Sequence, residues 1–235
     1  MSLIDLTKKA GIILEKRQLP NPPKCRVGLA LDVSGSMEDE YMDGSVQKTV
    51  DRLLAVAQKF DDNGEMEVWT YHTRVSTAPT ANASTFGGYV KKCILDNPDV
   101  SKWGGTSYAP PMNAMVDHYF RGTAVKAKGF MNSLFGKTER VAAEDTHIPA
   151  LMLFVTDGEN NDPAEARKIL LEAQEFNLYW QLVGVGNGCD FAFIKELADE
   201  LPNAGFVHLP NLKASDEVIL ENLLTTEFVN WVKKF

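Results

Sequence analysis

Two aspartates, two serines and a threonine hold the most distinctive chemistry in this sequence. Asp32, Ser34 and Ser36 alternate in the run DVSGS, Thr106 follows Gly104-Gly105, and Asp157 lies between Thr156 and Gly158. All five side chains end in hard oxygen donors, a set that suits Mg²⁺, Mn²⁺ or Ca²⁺ and suits zinc poorly. The Asp-x-Ser-x-Ser alternation places three such oxygens in one turn, and Gly35 lets the backbone bend closely around an ion. Gly104-Gly105 does the same ahead of Thr106. Taken singly, Asp32 and Ser34 have a plainer role as helix N-caps. The joint presence of Thr106 and Asp157 favours a metal centre.

Residues so far apart in sequence need a scaffold that brings them together. Residues 25–32 and 147–156 are nearly continuous apolar runs, the pattern of strands buried on both faces of a parallel sheet. Further strands are expected at 67–72, 74–78 (short and at an edge), 178–185 and 206–209. Val46, Val50, Leu53, Leu54, Ala57 and Phe60 recur at helical spacing. Other helices are expected at 86–95, 106–120 (with Pro110 and Pro111 in its first turn), 163–176, 191–201 and 216–232. Strands alternating with helices predict an α/β, Rossmann-like doubly wound fold. Its central sheet is mostly parallel, of about six strands, with helices on both faces. In such sheets ligands sit outside the carboxyl ends of the strands where the strand order reverses. Strands 25–32 and 147–156 would be neighbours there, bringing Asp32 and Asp157 to one mouth. Residues 1–24, with Pro20, Pro22 and Pro23, read as an arm or linker, and 25–235 as one domain. Residues 121–147 read as an insertion carrying Lys126, Lys128, Lys137 and Arg140, with a short amphipathic helix at 130–135.

The 235 residues carry a formal net charge of -8, which argues against a general nucleic-acid binder. Cys25, Cys93 and Cys189 are widely spaced and read as free thiols of a reducing compartment. With no signal-peptide pattern and no membrane span in the sequence, a cytoplasmic protein is expected. The catalytic motifs are incomplete. The third glycine of a dinucleotide fingerprint beginning at Gly184 would fall on Cys189, and the first glycine of a phosphate loop ending in Gly136-Lys137-Thr138 would fall on Met131. His72, His118, His147 and His208 lack ligand spacing and read as structural or surface residues. A Mg²⁺-dependent hydrolase of the haloacid-dehalogenase type is the alternative. That chemistry needs a second aspartate two residues after the nucleophile, where Ser34 stands. The expectation is therefore no enzyme.

Asp32–Ser36, Thr106 and Asp157 together resemble the five-position metal-ion-dependent adhesion site of von Willebrand factor type A domains. SGSM, GSVQKTVDRLL, FDDNGE, WGGTSYAPPM, LMLFVTDGEN and YWQLVGVG are similar to the tellurium-resistance, TerF-type branch of that family, from about residue 25 to the C-terminus. The resemblance implies the von Willebrand factor type A fold and one divalent cation at Asp32, Ser34, Ser36, Thr106 and Asp157. Three of these would ligate directly and the others through water. It further implies a protein-binding module with a coordination position left for an Asp or Glu of the partner, and a bacterial tellurite or chemical stress-resistance role. Lys102 or the basic insertion would help attract such a partner. Glu159 and Asp162 are expected to cap the helix beginning at Pro163.

Overall fold

The two most apolar runs become adjacent central strands. β1 (Arg26–Asp32) and β6 (Ala150–Thr156) pair in parallel, with Leu29 opposite Leu153. β2 (Met66–Tyr71) lies parallel on the other side of β1, and antiparallel β3 (Val75–Ala81) closes that edge. β7 (Leu178–Val185) and β8 (Ala204–Leu209) continue in parallel beyond β6. The order is β3-β2-β1-β6-β7-β8. The chain thus grows outward from β1 in one direction and from β6 in the other, and the β1/β6 boundary is the switch point at which a site is expected. The computed structural model describes the whole chain except Met1, Asp62, 127–137, Glu159 and Gly188, and gives 123–126 and 138–140 as backbone.

Because β1 and β6 are covered on both sides, alternate residues enter two different cores. Val27, Leu29 and Leu31 of β1 join Leu151, Leu153 and Val155 of β6 on one face. There they meet α1 (Leu3–Lys16), the short α2 (Glu38–Met42), α3 (Ser45–Phe60), α7 (Asp216–Leu223) and α8 (Thr226–Val232). Ala30, Met152, Phe154, Trp180 and Leu182 face the other way. They pack on α4 (Ala109–Val116), α5 (Pro163–Glu172) and α6 (Ala192–Glu200). Every residue of β6 and β7 is buried. This explains why those segments read as continuous apolar runs rather than alternating ones.

The stretch expected to be an arm contains a docked helix. Ser2 and Asp5 form a reciprocal capping box at the start of α1, and Leu6, Ala10, Ile13 and Leu14 sink into the core at helical spacing. Lys9 pairs with Asp216 at 3.1 Å and Glu217 at 2.8 Å. Only the Pro-rich connection after Arg17 has linker character. Leu14 is fully buried, so Leu14→Ala is expected to destabilise the chain by roughly 2–5 kcal/mol in urea unfolding. A midpoint unchanged from wild type would contradict this packing role.

Other elements depart from expectation for local reasons. The single helix expected at 216–232 is two, because Thr225 is extended and its hydroxyl accepts from Phe228 N at 3.1 Å, capping a new helix. The helix expected from 106 starts at Ala109, with its prolines in the first turn, and ends in a π turn at Asp117–Arg121. Residues 86–95 form only a six-residue π turn, Val90–Leu95. The ends of the insertion pair as an antiparallel hairpin, β4 (Thr123–Lys126) with β5 (Thr138–Val141). Its expected helix at 130–135, with Lys128 and Lys137, lies outside the described residues.

Candidate metal centre

β1 ends on Asp32, and the following turn is built from its own motif. Asp32 is fully buried, and one carboxylate oxygen accepts from Ser34 N at 2.8 Å. The Ser34 and Ser36 hydroxyls lie 3.1 Å apart, so Asp32, Ser34 and Ser36 share one turn as the alternation predicts. Ser36 is exposed, placing the turn at the surface.

The segment carrying Thr106 is stitched to that turn. Trp103 N donates to Val33 O at 2.7 Å and Gly35 N to Gly104 O at 3.0 Å, closing a short parallel bridge between Ser34 and Gly104. A side chain on Gly104 would overlap the His72 imidazole, so glycine is required for this close approach. His72 supports the loop. Its ring nitrogens bond Thr73 Oγ1 and Ser101 Oγ, both at 2.9 Å, and its carbonyl accepts from Ser107 N at 2.9 Å. Trp103 holds φ 64, a left-handed conformation costly for a bulky residue, while its ring meets Tyr41 edge-on at 5.5 Å.

The Asp157 segment is tied to the Thr106 segment in turn. Asn161 N donates to Thr106 O at 2.9 Å. Asp162 accepts from Tyr108 N at 2.7 Å and Ala109 N at 3.0 Å. It therefore caps the start of α4. The expected cap at Pro163 is absent, since Asp162 makes no side-chain cap bond to its own helix. Glu159 lies outside the described residues. The three segments are thus one hydrogen-bonded unit at the carboxyl ends of β1 and β6.

Three residues that sequence reasoning missed complete the surroundings. Thr156 Oγ1 donates to the second Asp32 carboxylate oxygen at 3.1 Å. The Tyr108 hydroxyl lies 2.9 Å from Thr156 Oγ1 and donates to Gly158 O. The Tyr41 hydroxyl donates to Asp32 O at 2.9 Å. Thr156 could have been suspected as the last residue of the most apolar strand, next to Asp157. The tyrosines carry no local signal. The Lys102 ammonium donates to the carbonyls of Ile94, Asn97 and Val100 at 3.1, 3.1 and 2.7 Å, which ties it to the 94–100 segment.

Burial pushes the Asp32 carboxyl up to about 7, the Asp157 charge adds to the rise, and the Ser34 and Thr156 bonds oppose it. None of the largest influences on this group is a cation. A buried carboxylate held only by neutral donors, with a second carboxylate near enough to raise it, is an uncompensated negative site. A hard divalent ion fits that need and this donor set. Among the described residues no three His, Cys, Asp or Glu gather as a metal cluster; the donor set here has two aspartates, the rest being hydroxyls.

A family model described as "vWA-TerF-like: vWA found in TerF C terminus" matches residues 24–235. The chain is 33% identical over 239 residues to the uncharacterized protein YcbR of Bacillus subtilis (strain 168), covering all of this chain and 88% of that protein. Its fold is similar to proximal thread matrix protein 1 of the mussel byssus, with TM-score 0.60 at 12% identity over 88% of this chain and 49% of that one. Another structure of that mussel protein, with TM-score 0.51 at 13% identity over 86% of this chain and 45% of that one, has a zinc-occupied MIDAS motif. Manganese-loaded TRAP of Plasmodium vivax superposes with TM-score 0.51 at 12% identity, over 87% of this chain and 73% of its own. The chain therefore spans about half the length of the mussel protein.

Proposed function

We propose that this chain, which belongs to the von Willebrand factor type A family found in the TerF C terminus, is a divalent-cation-dependent protein-binding module. The observation that carries this reading is the fully buried Asp32 carboxylate, raised to about 7 and flanked by hydroxyls and a second aspartate. Asp32 and Asp157 supply the two negative charges that a doubly charged ion neutralises, and Ser34, Ser36 and Thr106 supply neutral oxygens. Mg²⁺ is the ion of choice for this donor set; Mn²⁺ and Ca²⁺ share its hard-oxygen preference. Bound there, the ion would offer a coordination position to an anionic oxygen. The Ser34–Gly104 bridge, His72 and Asp162 hold the donor segments in place beforehand. The partner presents an Asp or Glu to the ion. Long-range repulsion between an acidic partner and a chain of net charge -8 is screened within about 8 Å at physiological salt, so attraction is local.

The finer reading places this binding in the cytoplasm and in tellurite or chemical stress resistance. The free cysteines Cys25, Cys93 and Cys189 support the compartment, and the similarity to TerF supports the role. No helix among the described residues is long and apolar enough to cross a membrane.

The test is capture of the native partner from cell extract by the full chain in Mg²⁺, repeated in excess EDTA and with Asp32→Ala. Binding is expected to be lost in both; capture that persists unchanged in EDTA overturns the reading. We also propose that the chain is not an enzyme. Purified protein is expected to leave phosphoesters and nucleotides unhydrolysed, and metal-dependent turnover abolished by Asp32→Ala would show a hydrolase instead.

A further inference from the structure

Beside the candidate metal centre lies a cleft of about 440 Å³ between the start of α3 and the 87–96 segment. The metal centre and the cleft share Tyr41. Its hydroxyl donates to Asp32 O at 2.9 Å, and the residue also lines the cleft. Met42, 62% exposed, contributes to the lining together with the apolar Val90 and Leu95. The cleft is pre-formed. Gln47 of α3 accepts from Val90 N at 2.7 Å and donates to Asp51 at 2.8 Å, and Asp51 accepts from Gly87 N at 2.9 Å. Gly44, Gly87 and Gly88 belong to the lining, and a Cβ added at any of them meets nothing within 4 Å.

The rim charges favour one kind of occupant. Lys91 and Lys92 line the cleft against a single acid, Asp96, which Lys91 engages at 2.9 Å. Lys92 is left as a surplus cation beside an apolar recess. A recess of this size with few polar groups suits one large apolar side chain, and an adaptable Met in its lining accommodates varied shapes. A single tyrosine spans the cleft and the Asp32 carbonyl, and an extended segment advances about 3.3 Å per residue, so a few residues connect the two sites.

We propose that this cleft takes an apolar side chain of the same partner segment whose carboxylate sits at the cation site, with a further acidic residue of that segment against Lys92. This rests on the cation-dependent reading above and adds to it a sequence requirement on the partner: an acid for the ion, and an apolar residue and a second acid for the cleft.

Random dodecapeptides displayed on phage, selected on the full chain in Mg²⁺, provide the probe. The best-enriched peptide is synthesised and titrated into wild type, Gly88→Phe, Lys92→Glu and Asp32→Ala. Gly88→Phe adds bulk to the cleft lining at a position where a Cβ meets nothing within 4 Å, so Mg²⁺ binding by calorimetry should be unchanged. The peptide should combine acidic and apolar residues at fixed spacing, and bind Gly88→Phe at least about tenfold more weakly. Lys92→Glu is a surface change that also weakens it, and keeps the test valid should the filled variant misfold. Unchanged affinity in both cleft variants, or no enriched peptide, overturns the proposal. Loss in Asp32→Ala alone keeps the cation reading and removes the cleft. Loss in the cleft variants alone keeps the cleft as a docking site and removes the cation reading.

Discussion

Millimolar Mg²⁺ is expected to raise the unfolding midpoint of the wild-type chain and to leave that of Asp32→Ala where it was. An ion that binds the native state at about 100 times its dissociation constant stabilises by roughly 2.7 kcal/mol. For a chain of this size that corresponds to a rise on the order of 5–10 °C. Asp32 is the donor to remove because it is the one fully buried carboxylate of the set, and its two oxygens organise both the Ser34 turn and Thr156. Removing it leaves Ser34 N and Thr156 Oγ1 without their acceptor, at a cost of about 1–3 kcal/mol. It also removes an uncompensated buried charge, an effect of opposite sign. The metal-free variant should therefore fold, and calorimetry should show one Mg²⁺ per wild-type chain and none per variant. Undiminished binding by Asp32→Ala would remove the site assignment. Ser36→Ala, at an exposed position, should weaken binding less.

What could be read in the sequence and what could not divides along physical lines. β1 and β6 were legible because strands buried on both faces must be apolar throughout. Once both are placed in a doubly wound sheet, the neighbourhood of Asp32 and Asp157 follows from topology alone. The helix α1 is only partly legible: Leu6, Ala10, Ile13 and Leu14 carry its periodicity, but the prolines after it are the stronger local signal and point to a linker. Its identity as part of the core depends on α3 and α7, which lie far away in sequence. The break at Thr225 was hidden because apolar residues continue at helical spacing across it. The surroundings of the site were least legible. Tyr41, Thr156 and Tyr108 act through single hydrogen bonds whose partners are chosen by three-dimensional contact. Asp162 shows how a local rule fails: an aspartate just before a proline-initiated helix looks like its cap, yet its carboxylate is spent on the neighbouring helix α4.

In EDTA the wild-type chain is expected to lose stability as pH rises from about 4 to 7, relative to Asp32→Asn. The Asp32 carboxyl stands at about 7 in the folded chain against 3.8 for the free group. Between those values the folded state holds a proton that the unfolded state has released, so rising pH favours unfolding. The effect should reach the order of a few kcal/mol once the pH exceeds 7, where the folded protein must ionise a buried group. His72 and His118 work in the opposite sense. Burial holds both below the ordinary 6.5, so each favours folding as pH rises towards that value. The comparison with Asp32→Asn removes their contribution, because both histidines remain in the variant. Asparagine keeps an acceptor for Ser34 N and has nothing to titrate. Saturating Mg²⁺ should abolish the difference by favouring the carboxylate, and Mg²⁺ affinity should climb with pH until about 7 and then level off as the competing proton is lost. Superimposable pH profiles for wild type and Asp32→Asn in EDTA would mean that the Asp32 carboxyl is not raised by its burial. The charge deficit that makes a cation the natural occupant of this site would then be absent.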